Sequence, residues 1–382
     1  MSSSAPAQPD FLSNEEPLSE YEPGGYHPTK LGDTLGRRYQ IKRKLGWGGY
    51  STVWLAQDKE TKDYLSIKIL TAFASRSPKL HELEYLQHTA KYDPTHPGYS
   101  RIIRLLDHFY HSGPYGSHLC LVTEVMGEGV QSLITFTKFH NQTAIAKDII
   151  RQVLQGVDYI HKSGIVHTDF KLDNFLMEIE DMNAYVKRAL DSSSAIVHPP
   201  VKAEDGTPIT YVTSTPLAIS NEDAESFKRL KVKIIDLGIA CWESGCRLGL
   251  EERHVESRVH SPRYDQDRKS NLSCGYRGYL EQGLCTPSPF WKVPKDLLKR
   301  GKYSVKYFKP DGSFVFDFSD KEALIPKWDT LLNDLVGVLH PDELERLKSF
   351  LGAMLTVRPE DRPTAEQLLD HEWLRSETLM LP

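Results

Sequence analysis

The sequence predicts an α+β protein in two parts, a small β-rich lobe followed by a larger helical one. Two periodicities carry that reading. From Tyr39, "YQIKRKLGWGGYSTVWLAQDKETKDYLSIKIL" alternates β-branched and aromatic residues with polar ones, as half-buried strands do. From Ala144, in "AIAKDIIRQVLQGVDYIHK", Ile145, Ile149, Val153, Val157 and Ile160 recur at helical spacing.

Residues 1–25 are rich in Ser, Pro and Glu and hold five acidic residues and no basic one. They are expected to be disordered. Lacking a basic n-region and an apolar h-region, they do not read as a signal peptide. Three antiparallel strands are expected from Tyr39 to Leu70, with a turn at "DKETKD". Residues 77–90 are expected to form a helix starting near Ser77-Pro78. "RIIRLLDHFY" and "HLCLVTEVM" read as two more strands, joined by the Gly/Ser turn "HSGPYGS". After the helix at 144–162, "PDELERLKSFLGAML" reads as another, with Pro341 and two acids in its first turn. Thr364 to Gln367 offers a capping box for a third. Residues 178–230 are polar with little apolar periodicity, and are expected to be a disordered or linker-like spacer.

A length of 382 residues allows one large core or two lobes, and 39% hydrophobic with 26% charged residues is ordinary for a soluble protein. The net charge of -5 argues against a bulk nucleic-acid binder. No run is long enough to span a bilayer. The five cysteines, at 120, 241, 246, 274 and 285, show no C-x-x-C spacing. They are expected to be reduced thiols rather than disulfides or zinc ligands.

"IVHTDFKLDNFL" (165–176) places His167, Asp169, Lys171 and Asn174 within eight positions between apolar flanks. Such groups need many hydrogen bonds or a charged ligand. Three further motifs are ambiguous singly. Gly46 and Gly48 in "LGWGGYSTVW" suit backbone N–H groups closing over phosphates, or simply a tight turn. Ser51 stands where a third glycine would complete the pattern. Lys68 in "YLSIKIL" is either a solvated strand lysine or a phosphate grip with a carboxylate partner, for which Glu82 and Glu84 compete. Asp236 in "KVKIIDLGIACW" suits a Mg²⁺ ligand or a turn.

In this order and context the motifs match the protein-kinase signature, and the chain resembles a eukaryotic-type Ser/Thr protein kinase. "YHPTKLGD", "RKLGWGGYSTVWLA", "IIRQVLQGVDYIH", "HTDFKLDN", "DLGIACW", "GKYSVKYF" and "RPEDRPTAEQLLDHEWL" are similar to the kinases of Ser/Arg-rich splicing factors. The resemblance covers residues 26–177, 231–242 and 293–374. It implies a bilobal kinase-like fold, with an N-lobe at 26–126 and a C-lobe at 127–382 that is incomplete.

The resemblance also implies roles. Asp169 would accept the substrate hydroxyl's proton, Lys171 would stabilise the transferring phosphoryl group, and Asn174 and Asp236 would hold Mg²⁺. Lys68, fixed by Glu82, would clasp the α/β-phosphates of ATP under the loop of Gly46, Gly48 and Ser51. Leu45, Val53 and Leu176 would sandwich adenine, Thr123 would guard the back pocket, and Glu124 to Met126 would bond the base through their backbone. Thr168 stands where most kinases carry an Arg that pairs with an activation-loop phosphate, so activity without loop phosphorylation is expected. Substrates would be Ser/Arg-rich proteins. A monomer without direct nucleic-acid or membrane contacts, shuttling between cytoplasm and nucleus, is the family expectation.

Residues 243–292 depart from the family. "ESGCRLGLEERHVESRVHSPRYDQDRKSNLSCGYRGYLEQGLCTPSPFWK" holds no Pro-Glu segment and no buried central helix, which would leave Arg362 an orphan. A mis-spliced or frameshifted reading of the gene, a degenerate kinase and an unrecognised replacement compete, and the composition favours the first. A pseudokinase scaffold is the rival function. A small-molecule phosphotransferase is a third, disfavoured by the Gly loop, the strand Lys and "HEWL".

Overall fold

The structure is a computed structural model that describes residues 14–135, 143–218, 230–244, 295–300, 309–312, 332, 339–356 and 361–377. It divides into two compact units. Unit one comprises residues 1–95, 99–133 and 175–238, and unit two comprises 96–98, 134–174 and 239–382.

Unit one is built on a six-stranded sheet. Its strands are β1 (Thr34–Leu35), β2 (Tyr39–Gly48), β3 (Ser51–Asp58), β4 (Tyr64–Leu70), β5 (Leu105–Gly113) and β6 (Gly116–Thr123), in the order β1-β2-β3-β4-β6-β5. The alternation read from Tyr39 onward therefore gives the three expected strands. One face buries Tyr39, Ile41, Trp54, Ile67, Ile69, Cys120 and Val122 in a common core. Helix α1 runs only from Glu82 to Thr89. It starts later than Pro78 because Ser77 to Leu80 close a turn, with the Leu80 N–H donating to the Ser77 carbonyl.

Two expectations of disorder are corrected for the described residues, residues 1–13 and 219–229 lying outside them. Residues 14–25 are ordered on the sheet, with Glu15, Glu16 and Tyr21 buried. Their acidity had no visible counterion because it lies in β2: the buried Lys44 ammonium sits 2.7 Å from Glu15 Oε2 and also bonds Glu16. Within the spacer, residues 182–192 form a helix whose N-cap Asp181 accepts from the Ala184 N–H. Val201–Lys202 then pairs with Pro208–Ile209. The helix buries Val186 against Leu55, Val125 and Leu217. The ladder buries Ile209 and Tyr211 against Tyr21, Tyr26 and Tyr115. These apolar residues are few and their partners are distant in the chain, so no local period announces them.

The edge of this unit also holds three packed histidines. The His27 ring lies 4.9 Å from that of His111 and 5.1 Å from that of His118, both edge-on. His27 Nδ1 meets Thr29 Oγ1 at 2.8 Å, and His118 Nδ1 meets the Leu70 carbonyl at 2.9 Å. Gly113 is required beside them, since a Cβ there would lie 2.4 Å from His27 Cδ2.

Unit two is organised by the helix Thr143–Lys162, which buries Ile145, Ile149, Leu154, Tyr159 and Ile160. The 144–162 and 341–355 expectations hold to within a residue, with the latter observed as Pro341–Met354. The capping box forms, Thr364 and Gln367 bonding each other's backbone N–H at the start of the helix Ala365–Leu369. Leu154, Phe350, Leu368, Trp373 and Leu374 pack as one core. Arg362 is no orphan: its Nε and Nη2 donate to the Thr356 carbonyl at 3.1 and 2.9 Å.

The two compact units divide the chain elsewhere than at the expected 126/127 boundary. Residues 127–133 and 175–238 belong to unit one, because Phe175–Glu178 pairs with Lys231–Ile234 and both strands return to that unit. Cys120 is a free, buried thiol as expected, but Cys241 is disulfide-bonded, contrary to the expectation for it. The departures assigned to 243–292 lie, beyond residue 244, outside the described residues.

Candidate active site

Unit one gathers every residue assigned to the nucleotide. The hairpin of β2 and β3 pairs Gly46 with Val53 and Gly48 with Ser51, and β3 pairs Val53 with Lys68. Directly paired residues share a face of the sheet, so the register aligns Gly46, Val53 and Lys68 in one row. A Cβ added at Gly46 or Gly48 would meet no protein atom within 4 Å. The protein's own packing does not demand glycine there, which fits a loop shaped for something else to approach its backbone.

Lys68 settles its partner. Its Nζ lies 2.7 Å from Glu82 Oε1 and 2.8 Å from Asp236 Oδ1, while Glu84 pairs with His81 at 3.2 Å instead. Burial opposes the charge on Lys68, but the two carboxylates outweigh it and hold the ammonium above the usual lysine range. Burial, with Asp236 beside it, pushes Glu82 up against the pull of Lys68. An ammonium has three N–H donors. Two are spent on carboxylates, and the third suits a phosphate oxygen.

The segment after β6 is fixed from its side chains. Glu124 accepts from Lys233 Nζ at 2.6 Å and from the Arg104 N–H at 2.9 Å. The Thr123 hydroxyl donates to the Glu124 carbonyl at 3.2 Å. Val125 and Met126 are buried, and Gly127 N–H donates to the Met177 carbonyl at 2.8 Å. Leu176 lies opposite Gly129 in an antiparallel bridge. Leu45 packs at the edge of the Leu55–Val125 cluster.

Unit two holds the loop expected to be catalytic, in which Asp169 is tied on one side. Its Oδ2 accepts from Asn174 Nδ2 at 3.0 Å and pairs with Lys171 Nζ at 2.8 Å. Asn174 Nδ2 also donates to the Asp169 carbonyl at 2.8 Å. The buried His167 receives the Asp169 N–H on Nδ1 at 3.3 Å. The polar chemistry of 165–176 thus answers to its own hydrogen bonds in part. Thr168 takes φ 67°, and Asp236 in unit one takes φ 62°. A β-branched residue in that left-handed region is a true outlier, and here its hydroxyl donates to the Ile239 carbonyl at 2.7 Å. Left-handed backbone at these two positions was not readable from the sequence, since neither is a glycine.

Comparison with known proteins bears on the same residues. Residues 39–202 match the family model described as a protein kinase domain. The chain is 29% identical over 415 residues to a serine/threonine-protein kinase SRPK of Physarum polycephalum, covering 95% of this chain and 92% of that one. These likenesses support a serine/threonine protein kinase of the SR-protein kinase branch. The chain is also 42% identical over 172 residues to the protein kinase dsk1 of Schizosaccharomyces pombe, covering 44% of this chain and 32% of that one. Against SRSF protein kinase 3 of Homo sapiens the figures are 38% over 182 residues, 47% and 32%. The chain therefore spans most of the first relative and about a third of the length of the other two. A solved kinase-domain structure aligns with TM-score 0.56 over 92% of this chain and 99% of its own at 17% identity. At that identity the likeness speaks for the fold alone.

Proposed function

We propose that this kinase transfers the γ-phosphate of ATP to serine or threonine hydroxyls of Ser/Arg-rich proteins. The observation that carries the reading is the one-sided restraint of Asp169. With Oδ2 held by Asn174 and Lys171, Oδ1 is the atom suited to orient a substrate hydroxyl and take its proton. Lys171, half-exposed beside it, would stabilise charge on the transferring group. The Asn174 amide nitrogen is spent on Asp169, so its carbonyl oxygen is what it can offer to Mg²⁺. Asp236 likewise carries hard carboxylate oxygen of the kind Mg²⁺ takes. Bound Mg²⁺ would supply charge neutralisation at the phosphates. The protein's own share is positioning and electrostatics.

A pseudokinase scaffold is not favoured, since Lys68, Glu82, Asp169, Asn174 and Asp236 are all present in paired geometry. A monomer that passes between cytoplasm and nucleus completes the proposal by family analogy. Among the described residues, no helix is long and apolar enough to cross a membrane.

The test is transfer to a Ser/Arg-repeat peptide by the full chain, with Asp169→Ala as control. The variant is expected to lose about 10²- to 10⁴-fold in kcat, the range of a general base, while its ADP affinity stays within about twofold of wild type. Nucleotide binding by the wild-type chain without transfer would favour the scaffold. Full turnover in the variant would remove Asp169 from its role.

A further inference from the structure

The N-terminal segment does more than cover the sheet: it takes hold of the Gly-rich hairpin at three places. Tyr26 Oη donates to the Gly48 carbonyl at 2.8 Å. Trp47 Nε1 donates to the Asn14 carbonyl at 3.0 Å. Lys44, at the base of the same strand, is fully buried against Glu15 and Glu16.

The segment is itself anchored. The N–H groups of Ala72 and Phe73 donate to the Gly25 and Gly24 carbonyls at 3.0 and 2.7 Å, and the Gly24 N–H donates to the Tyr115 carbonyl at 2.9 Å. Gly25 cannot be replaced, since a Cβ there would lie 1.8 Å from the Glu20 carbonyl oxygen. The Tyr26 ring is buried and leans on Tyr21 at 5.8 Å. Glu15 is bonded in turn by the Ser214 N–H at 2.7 Å and its hydroxyl at 2.8 Å.

A peptide unit is planar and trans, so its C=O and N–H point in opposite directions. The Gly48 carbonyl and the Gly49 N–H share one such unit. Holding the carbonyl toward Tyr26 turns the Gly49 N–H to the opposite side from Tyr26, on the hairpin tip where a Cβ at Gly49 would also meet no atom within 4 Å. The hairpin pair Gly48–Ser51 closes the same turn, and the Tyr26 hydroxyl adds a second hold on a unit flanked by two flexible glycines.

We infer that Tyr26 is a positioning residue for phosphate binding: its hydroxyl fixes the Gly48–Gly49 peptide with the N–H facing the nucleotide's phosphates. The inference deepens the kinase reading above and rests on it. Tyr26 would not touch the nucleotide. It would set the loop's preorganisation before binding, which lowers the ordering cost of binding.

The experiment measures ADP and adenosine affinity of the full chain by calorimetry, for wild type and Tyr26→Phe. Removing one hydroxyl keeps the ring packing. ADP binding is expected to weaken by about 2- to 10-fold, the range of one neutral hydrogen bond, with adenosine affinity unchanged. Equal weakening of both ligands, or of neither, overturns the inference and leaves the kinase reading standing. Wild-type protein that binds neither ligand overturns both. Should Tyr26→Phe fail to fold, Trp47→Phe removes the tie to Asn14 and is read by the same ratio of affinities, with the same outcomes deciding.

Discussion

Mild acid should loosen unit one through its packed histidines, and the size of the effect can be worked out. Burial, then the neighbouring His118 and His111, lower the pKa of His27 from 6.5 to about 3. Burial lowers His111 and His118 as well, opposed by Asp33 at the former and by the Leu70 carbonyl at the latter. A group whose folded pKa lies below its unfolded one stays unprotonated in the native state while the unfolded chain takes up a proton. Stability is therefore complete above about pH 6.5 and falls as the pH drops toward 3. For His27 alone the loss at pH 5 is RT ln(1 + 10^1.5), about 2 kcal/mol, with His111 and His118 adding to it. The assay is urea unfolding at pH 7 and pH 5, in wild type and in His27→Gln. The variant is expected to start less stable at pH 7 and to lose about 2 kcal/mol less than wild type on going to pH 5. Equal losses in the two proteins would refute the reasoning, because they would show that His27 titrates alike in the folded and unfolded chains.

Lys68→Met removes the ammonium from between Glu82 and Asp236 and should weaken ADP binding by about 10-fold or more, as loss of a charge-assisted hydrogen bond does. Unchanged affinity by calorimetry would exclude Lys68 from the phosphates. Lys44→Met leaves Glu15 and Glu16 buried without a cation and should cost about 3–5 kcal/mol by urea unfolding. Adding Glu15→Gln and Glu16→Gln should recover part of that loss, and a cost below about 1 kcal/mol in the single variant would mean that the cluster contributes as weakly as an exposed pair.

The parts of the kinase that depend on local order were legible in its sequence. β2 to β4 and the helices at 143–162 and 341–354 declare themselves because each buries one face at a fixed period. The motif residues were legible because their order along the chain is itself the signature. What remained hidden depends on pairing across long separations. Glu15 and Glu16 look like solvated acids until Lys44 is placed on them, and Tyr211 looks like a loop residue until Tyr21 and Tyr26 surround it. Glu82 could not be chosen over Glu84 on phase alone. The choice follows from α1 starting at Glu82, which buries that side chain and leaves Glu84 exposed beside His81. Left-handed backbone at Thr168 and Asp236 is set by surrounding contacts rather than by residue type.

The return of residues 175–238 to unit one has a consequence for synthesis. The strand 175–178 finds its partner only at 231–234, and Glu15 finds Ser214 only across nearly the whole unit. A nascent chain that has emerged through residue 133 therefore holds the sheet but not its closing layer. About 100 further residues must leave the ribosome first, roughly 5–20 s at ordinary elongation rates. Through that interval the apolar faces of Leu55 and Val125, later covered by Val186 and Leu217, are open to solvent. This is the stage at which a chaperone has most to protect.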